Sequence, residues 1–584
     1  MTNTESVPSV VAGGFHHNGS LILTNDHIKP DAASLDKNQN PKRPEHISAE
    51  QIGEKIRLAA QRSRGIRGIW RGLQIVHVLG QMALYLHLEN YDVQADFNRK
   101  MIERKRELSK LNAGHTKTRF WILYLGLKIY DLTIRTLRVI VFRGNPDSAK
   151  KVVRQERQAV WLKERLIALG PTFIKVGQAL GTRADLLPLP YVKELITLLD
   201  QVPPFSNAEA FSLITTELAK SGSTVSDLFV EIDPEPVAAA SLGQVYRAKL
   251  KTGQEVAVKV QRPNLESRIT FDIAVLRRIV ALLKRIRAFN ENADWEGMLA
   301  EFTQTIFEEM DYRQEALNAE RFRHNFRDWR AIHVPVIYHE YSTSRILTME
   351  FIHGTKVVDL EGLKSRRISS VKVNRLLVKA YLKQLLEDGF FHADPHPGNL
   401  LVMFDGRLAV FDFGMTGRIN AELQSKMINA FFHVVERDVQ GLAEDLIKLD
   451  FLKPGIDPEK VRPVVEGLFG HYINLKLGDV NFKELTYDLA EVIYEYPFRL
   501  PMKFTYIIRA LMTLEGIGIV TDPGFSFFDT AKPYAKEFTL RREGKRFRQM
   551  VFDKLTGREQ DSQIEWHKMW KLTKMAVQIY VMKK

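Results

Sequence analysis

Apolar and polar positions change their spacing several times along the chain, and each change marks a boundary. Residues 1–50 mix Ser, Asn, Pro, Asp and Gly with scattered apolar positions and no period, which predicts a flexible leader. From 51 to 150 apolar residues recur at helical spacing among many basic ones. The longest uncharged run there, Gly72–Leu88, has 17 residues and includes Gln74, His77, Gln81 and His87. A bilayer span needs about 20 predominantly apolar residues, so this run falls short. A second apolar run, Phe120–Leu127, ends at Lys128 and is followed by the amphipathic stretch Asp131–Arg143. Such helices can lie in a membrane interface, or pack their apolar faces on a protein body.

Helical spacing continues through 151–226, with one segment opening on Pro171, a residue suited to a first helical position. Near 227 the period drops to two. Asp227–Asp233, Val245–Leu250 and Glu255–Val260 read as strands, the last two joined by a turn at Thr252-Gly253. Two long helical patterns follow, Leu265–Phe289 and Trp295–Phe326, and then two more strands, His333–Ser342 and Arg345–Phe351. From about 370 to 530 the chain is mainly helical, interrupted by His392–Met415. The expected fold class is α+β. Its parts are a leader (1–50), a basic amphipathic helical extension (51–150), a helical region (151–226), a small antiparallel sheet with inserted helices (227–353), a helical domain (354–530) and a basic amphipathic tail (531–584).

Composition narrows the chemistry. With 584 residues, 45% apolar and 10% aromatic, the chain can build several cores and is neither fibrous nor wholly disordered. It has no cysteine. Disulfide frameworks, thiolate zinc sites, iron–sulfur clusters and a Cys nucleophile are therefore excluded, leaving oxygen or imidazole ligands for any metal. The net charge of +14 is unevenly placed: 51–150 carries +11, 531–584 carries +8, the leader −2, and the remaining body −3. A nearly neutral body without a recognition motif argues against nucleic acid as a partner, while the basic flanks favour an anionic membrane surface. No basic start precedes an apolar core and small-residue cleavage site, and the leader is poor in Arg. The expected location is cytoplasmic, with peripheral attachment to membrane.

The segment His392-Ala-Asp394-Pro-His396-Pro-Gly-Asn399 is followed by Leu-Leu-Val, a turn at Asp405-Gly406, a second short strand and then Asp412-Phe413-Gly414. Phosphoryl transfer needs a carboxylate that orients or deprotonates the acceptor, with an Asn and a second Asp that hold Mg²⁺ on the phosphates. Asp394, Asn399 and Asp412 supply all three in the required order. The same chemistry needs an upstream strand lysine, met by Lys259 in Val256-Ala-Val-Lys259, and a helix glutamate. Glu309 and Glu315 are the two candidates; on one helix their six-residue spacing makes them diverge, so they cannot share that task. The loop that would cover the phosphates runs through Val237, Ala238, Ala239, Ala240, Ser241, Leu242, Gly243, Gln244 and Val245, with alanines where flexible glycines are usual. His392 and His396 stand four apart, but Pro395 and Pro397 break a helix between them, so a metal pair is not expected and His392 is read as a brace for the loop. After Gly414 the chain enters a helix almost at once. A platform for a peptide substrate is missing, which predicts weak or no phosphorylation of other proteins.

These motifs, together with Lys175-Val-Gly177-Gln178 and the Glu308–Phe322 stretch EEMDYRQEALNAERF, resemble the UbiB family of atypical kinases, also called AarF-domain or ABC1-type kinases, over roughly residues 130–530. The resemblance implies a bilobal kinase-like fold in which the K-x-G-Q segment drapes as a lid over the cleft. It implies binding of ATP or ADP with Mg²⁺, ATPase activity more readily than protein kinase activity, and a role in isoprenoid quinone or related prenyl-lipid metabolism, with quinone-biosynthesis enzymes as possible partners. By the same resemblance Lys259 contacts the α/β-phosphates with Glu315 as its helix partner, Asp394 is the catalytic-loop carboxylate, and Asn399 and Asp412 bind Mg²⁺. Lys175, Gly177 and Gln178 form the lid motif, Glu309 and Asp311 the acidic motif expected to meet it, and Glu350 and Phe351 the hinge around adenine. Two alternatives stand beside this reading: a small-molecule phosphotransferase, and a nucleotide-gated scaffold that presents lipid intermediates with little catalysis. The tail carries Trp566 and Trp570 among lysines and is too short and too charged to span a bilayer.

Overall fold

The computed structural model of the chain describes residues 49–90, 151–181, 187–199, 205–284, 295–451 and 502–541, apart from single positions within them, plus isolated helical positions between 125 and 136 and at 463 and 466. The leader, the tail beyond 541 with its two tryptophans, and most of 91–150 lie outside the described residues.

The helices that shape the site are α1 (Ala49–Arg62), α2 (Ile66–Asn90), α3 (Lys151–Leu169), α4 (Pro171–Leu180), α5 (Leu189–Ile196), α6 (Asn207–Ala219), α7 (Leu265–Leu283), α8 (Trp295–Met310), α9 (Tyr312–Asn325), α10 (Ser370–Lys383), α11 (Ala421–Glu436), α12 (Val439–Lys448) and α13 (Met502–Thr521). The strands are β1 (Phe229–Ile232), β2 (Ala238–Ala239), β3 (Gly243–Leu250), β4 (Glu255–Gln261), β5 (Ile332–His333), β6 (Ile346–Glu350), β7 (Gly354–Lys356), β8 (Phe390–His392), β9 (Leu400–Met403), β10 (Leu408–Val410) and β11 (Thr416–Arg418).

The principal sheet is antiparallel in the order β1-β3-β4-β6, with β2 also pairing to β3. Alternate residues of a strand face opposite sides, and β4 uses both. Val256, Val258 and Val260 sink into a core with Tyr246, Ile346 and the Ala210, Ile214 and Leu218 face of α6. Lys259 and Gln261 therefore face the other way, toward α8 and α9. A second sheet, β5-β10-β9-β7, and the β8–β11 pair lie against the largest core, which α10, α13 and the buried faces of Phe322, Phe390, Phe391 and Phe413 build together.

Two expected elements are shorter than their patterns suggested. The strand expected over His333–Ser342 is only Ile332–His333, with a single bridge from Ile337 to Met349 and a helical turn at His339–Tyr341. Pro335 interrupts the ladder because it has no N–H to donate. The single helix expected over Trp295–Phe326 is two helices. Asp311 leaves helical geometry (φ −94°, ψ 99°) and its carboxylate accepts from Arg313 N, an N-cap that starts α9 afresh. Glu309 and Glu315 thus sit on different helices, which corrects the placement of both on one.

The extension packs on the body by its inner faces. Ile52 and Ile56 of α1 join Leu265, Ile269, Ile306 and Phe307, while Ile75 and Val78 of α2 join Leu162, Leu166, Tyr191 and Leu276. Among the described residues one helical stretch, Phe504–Thr521, is long and apolar enough to cross a membrane, and over half of it is buried inside the protein.

Candidate functional site

Lys259 lies in the middle of β4, paired with Val245 on one side and Leu347 on the other. That register aims its side chain at the first turn of α9, where Glu315 accepts from Nζ through both carboxylate oxygens at 2.8 and 2.9 Å. Both groups are buried. Asp412 Oδ1 lies 3.2 Å from the same ammonium. Burial alone would drive the lysine toward its neutral form, but Asp412 and Glu315 outweigh it and raise its pKa. Burial pushes Glu315 up to about 7 against the pull of Lys259. Burial also works against the charge of Asp412, yet Lys259 holds its carboxyl below the usual range. Asp412 has φ +60°, the left-handed region that a residue with a Cβ adopts at some conformational cost. A backbone held this way at a charged residue is a common mark of a working site.

The loop between β8 and β9 is built around His392. Its N–H donates to Gln384 Oε1 at 2.9 Å, and its Nδ1 accepts from Asp394 N at 3.0 Å. An accepting Nδ1 must carry no proton, and burial depresses the pKa of this imidazole and keeps it neutral. The ring stands beside Phe322 and Phe413. His392 thus braces the loop from below. His396 turns elsewhere, its Nδ1 accepting from Gly398 N at 3.1 Å. The Asp394 carbonyl accepts from His396 N at 2.8 Å and from Asn399 Nδ2 at 3.1 Å. Asn399 therefore uses its donor on the loop and keeps Oδ1 as an acceptor.

An Asp carboxylate and an amide oxygen suit Mg²⁺, a hard cation usually held by one or two protein oxygens together with phosphates and water. Among the described residues no three His, Asp or Glu side chains form a metal-holding cluster of their own. Asp412 and Asn399 fit a metal that arrives with phosphate rather than one caged by protein. Six residues separate Gly414 from α11, and three of them form β11 against β8. No long loop stands between the Asp412 turn and the next helix.

The residues proposed to surround the nucleotide divide by where they point. Ala238 and Ala239 form β2 against Val245 and Gln244, and Val237 N donates to Val245 O at 2.8 Å. Ala240 and Ser241 lie outside the described residues. Leu242 is buried with α1, α7 and α8. Gln244 is fully buried too, accepting from Phe205 N and donating to Tyr246 Oη at 2.7 Å. Only the backbone of Leu242 and Gln244 is therefore left to face a nucleotide. Gly243 is required by space, since a Cβ there would strike the Tyr312 hydroxyl and the Val260 carbonyl. At the end of β6, Glu350 Oε2 accepts from Val336 N at 3.1 Å and lies 3.0 Å from His333 Nε2, while Phe351 N donates to Glu255 O at 3.1 Å.

A second ionic cluster lies beside the first. Lys175 of α4 pairs with Glu309 of α8 at 2.5 Å. Gln178 donates to Leu198 O at 3.1 Å, and Gly177 lets α4 approach α3 and the helical turn after α5 so closely that a Cβ would meet Leu166 and Leu198. Asp311, expected to join this meeting, is engaged with Arg313 through both oxygens. From α13 comes a residue that sequence reasoning missed. Arg509 Nη2 lies 2.8 Å from Asp394 Oδ1, with both groups well shielded from solvent. A small cavity joins this second cluster to Arg509, lined among others by Lys175, Gln178, Glu309, Met415, Tyr506 and Arg509. The available signal was an arginine inside an otherwise apolar helical run, where a charge stays only if it finds a buried partner.

A family model described as the ABC1 atypical kinase-like domain matches residues 197–446, and one described as the UbiB helical domain matches 465–526, the stretch that contains Arg509. The uncharacterized protein sll0005 of Synechocystis is 42% identical over 419 residues, covering 72% of this chain and 60% of that protein. The uncharacterized protein slr1919 of the same organism is 41% identical over 422 residues, covering 72% and 74%. The protein named ACTIVITY OF BC1 COMPLEX KINASE 7, chloroplastic, of Arabidopsis thaliana is 38% identical over 418 residues, covering 71% and 59%. The chain thus spans between 59% and 74% of the length of these relatives.

Proposed function

The chain belongs to the ABC1 atypical kinase-like family, and from that premise we propose that it is a membrane-associated atypical kinase or ATPase that binds ATP or ADP with Mg²⁺ and supports isoprenoid quinone or related prenyl-lipid metabolism. The observation that carries the nucleotide site is Lys259, held between Glu315 and Asp412 at 2.8–3.2 Å beside the Asp394–Asn399 loop. In this reading Lys259 binds the α/β-phosphates, Glu315 fixes its direction, and the backbone of 237–245 covers the phosphates. Asp412 and Asn399 hold Mg²⁺, which neutralises charge on the phosphates when bound. Asp394 orients the acceptor hydroxyl or water and takes its proton as the γ-phosphoryl moves to it and ADP departs. Glu350 and Phe351 mark the hinge that meets adenine through its backbone.

The short path from Gly414 to α11 and the closure by Lys175 on Glu309 support water or a small lipid-borne acceptor over a protein substrate. The test is ATP turnover with and without anionic vesicles and a quinone-precursor mimic. Turnover should need Mg²⁺ and Lys259, and phosphate transfer to a generic protein should be weak. Stoichiometric protein phosphorylation abolished by Asp394→Asn would overturn the second part.

One observation favours a scaffold reading. Arg509 occupies the carboxylate that catalysis needs. A nucleotide-gated scaffold for lipid intermediates would keep its function in cells with Asp394→Asn and lose it with Lys259→Ala, whereas an enzyme would lose it with both.

A further inference from the structure

We propose that the outer face of α2 is the surface by which this chain lies on an anionic bilayer. The inference rests on the proposed membrane association and assigns it a place. Ile66 (73% exposed), Ile69, Trp70 (65%), Leu73 (56%), Val76 and Leu84 all stand exposed on this one helix. Their spacings of three, four and seven, and of eight and eleven to Leu84, put them in one stripe, about 27 Å long from Ile66 to Leu84. A soluble helix usually turns such a stripe inward.

This helix cannot roll to do so, because its opposite face is already fixed. Ile75 and Val78 are buried, and Arg71 holds the buried Asp272 of α7 through Nε at 2.7 Å and Nη2 at 3.0 Å. Arg71 Nη2 also donates to Leu169 O at 2.7 Å, and its guanidinium lies over Phe173. Thr172 Oγ1 donates to the same Asp272 at 2.7 Å. The apolar stripe is thus presented outward by a buried polar network on the far side of the helix.

Charge selects the occupant. Between Lys55 and Leu88 the chain has six Lys or Arg and no Asp or Glu, while the 151–530 body is net −3. Arg64 and Arg67 stand exposed at the start of the stripe. An apolar face with basic residues at its edge and an exposed Trp matches the boundary between anionic headgroups and acyl chains. A second copy of this chain would bring the same positive edge against its own, which opposes self-association through this face. Leu125, Ile129 and Leu132 repeat the exposed i, i+4, i+7 pattern beside Lys128.

The absence of cysteine permits a direct test on the full chain. Single Trp70→Cys, Leu73→Cys and, as a distant exposed control, Phe404→Cys variants are labelled with an environment-sensitive fluorophore. Each is mixed with pure phosphatidylcholine vesicles or with phosphatidylcholine–phosphatidylglycerol vesicles, and co-flotation is measured in parallel. The labels at 70 and 73 should shift to the blue with the anionic vesicles alone and lose the shift in high salt, while the label at 404 stays silent. Unlabelled Trp70→Glu/Leu73→Glu should lower the floated fraction by at least about tenfold with an unchanged melting temperature, since both side chains are already exposed. Flotation of the intact chain with silent labels at 70 and 73 overturns the assignment to α2 and leaves membrane association standing. Failure of the intact chain to float overturns both. Blue shifts that appear without vesicles and grow with protein concentration overturn the assignment in favour of a second copy.

Discussion

Two lysines, Lys259 buried and Lys175 half-buried, each meet a glutamate, and the two glutamates are six residues apart in sequence. Lys259 of β4 binds Glu315 at the start of α9; Lys175 of α4 binds Glu309 at the end of α8. The break at Asp311 turns one stretch of chain into two presenting ends. The first pair has a third charge, Asp412, and faces the loop of Asp394 and Asn399, so its ammonium can exchange carboxylates for phosphate. The second pair lines a cavity with Arg509 of α13, whose Nη2 lies 2.8 Å from Asp394. One cluster is suited to hold a ligand, the other to position the elements beside it.

The largest predicted effect separates the two at the first pair. Removing one partner of a buried pair leaves the other charge unmatched, at about 3–5 kcal/mol. Lys259→Met should lower the unfolding free energy by that order and abolish nucleotide binding, whereas Lys175→Met should leave nucleotide affinity within about threefold. Denaturant unfolding and calorimetric titration read the two quantities. Equal losses of nucleotide affinity in both variants would erase the distinction.

The next effect tests the link from the second cluster to the first. Arg509→Met strips a shielded carboxylate of its partner, which costs about 1–3 kcal/mol. In a double-mutant cycle with Asp394→Asn the coupling should be about 1 kcal/mol or more. Additive losses would mean that the 2.8 Å contact carries no energy. Gly177→Ala should destabilise by a smaller margin: a gain in helix propensity of about 1 kcal/mol opposes a clash with Leu166 and Leu198 of about 1–3 kcal/mol. A rise in melting temperature would show that α4 has room to move.

The smallest effect concerns pH. The folded pKa of His392 lies below its ordinary value near 6.5, so its contribution to stability is complete above that pH. Acidification then removes it progressively down to the folded pKa, as protonation displaces the Asp394 N–H from Nδ1. His392→Gln should flatten this part of the stability–pH curve, and a curve of unchanged slope would contradict the neutral, accepting imidazole.

The same comparison explains what the sequence made legible. Lys259, Asp394, Asn399 and Asp412 stand in short motifs whose spacing reflects a strand, a loop and a turn, so local pattern alone gathered them. The choice between Glu309 and Glu315 was not open to local pattern, because a helical period runs through Asp311 and hides the cap that divides it. Arg509 was invisible for a different reason: it reaches Asp394 across 115 residues by the packing of α13, and no periodicity reports which buried acid a helix will meet. Leu242 and Gln244 were grouped with the nucleotide loop by position, yet the pleat of β3 and the core under α1 turn their side chains away. The extension showed its amphipathic character in sequence, but which face would stay exposed depended on Arg71 finding Asp272.

The most direct test of the account is calorimetric titration of the intact chain with ATP and ADP, with and without Mg²⁺, alongside Asp412→Asn. Saturable binding that requires Mg²⁺ and weakens by at least about tenfold in Asp412→Asn is predicted. Binding that ignores both the metal and the substitution, or no binding of either nucleotide, would contradict the assignment of this cleft.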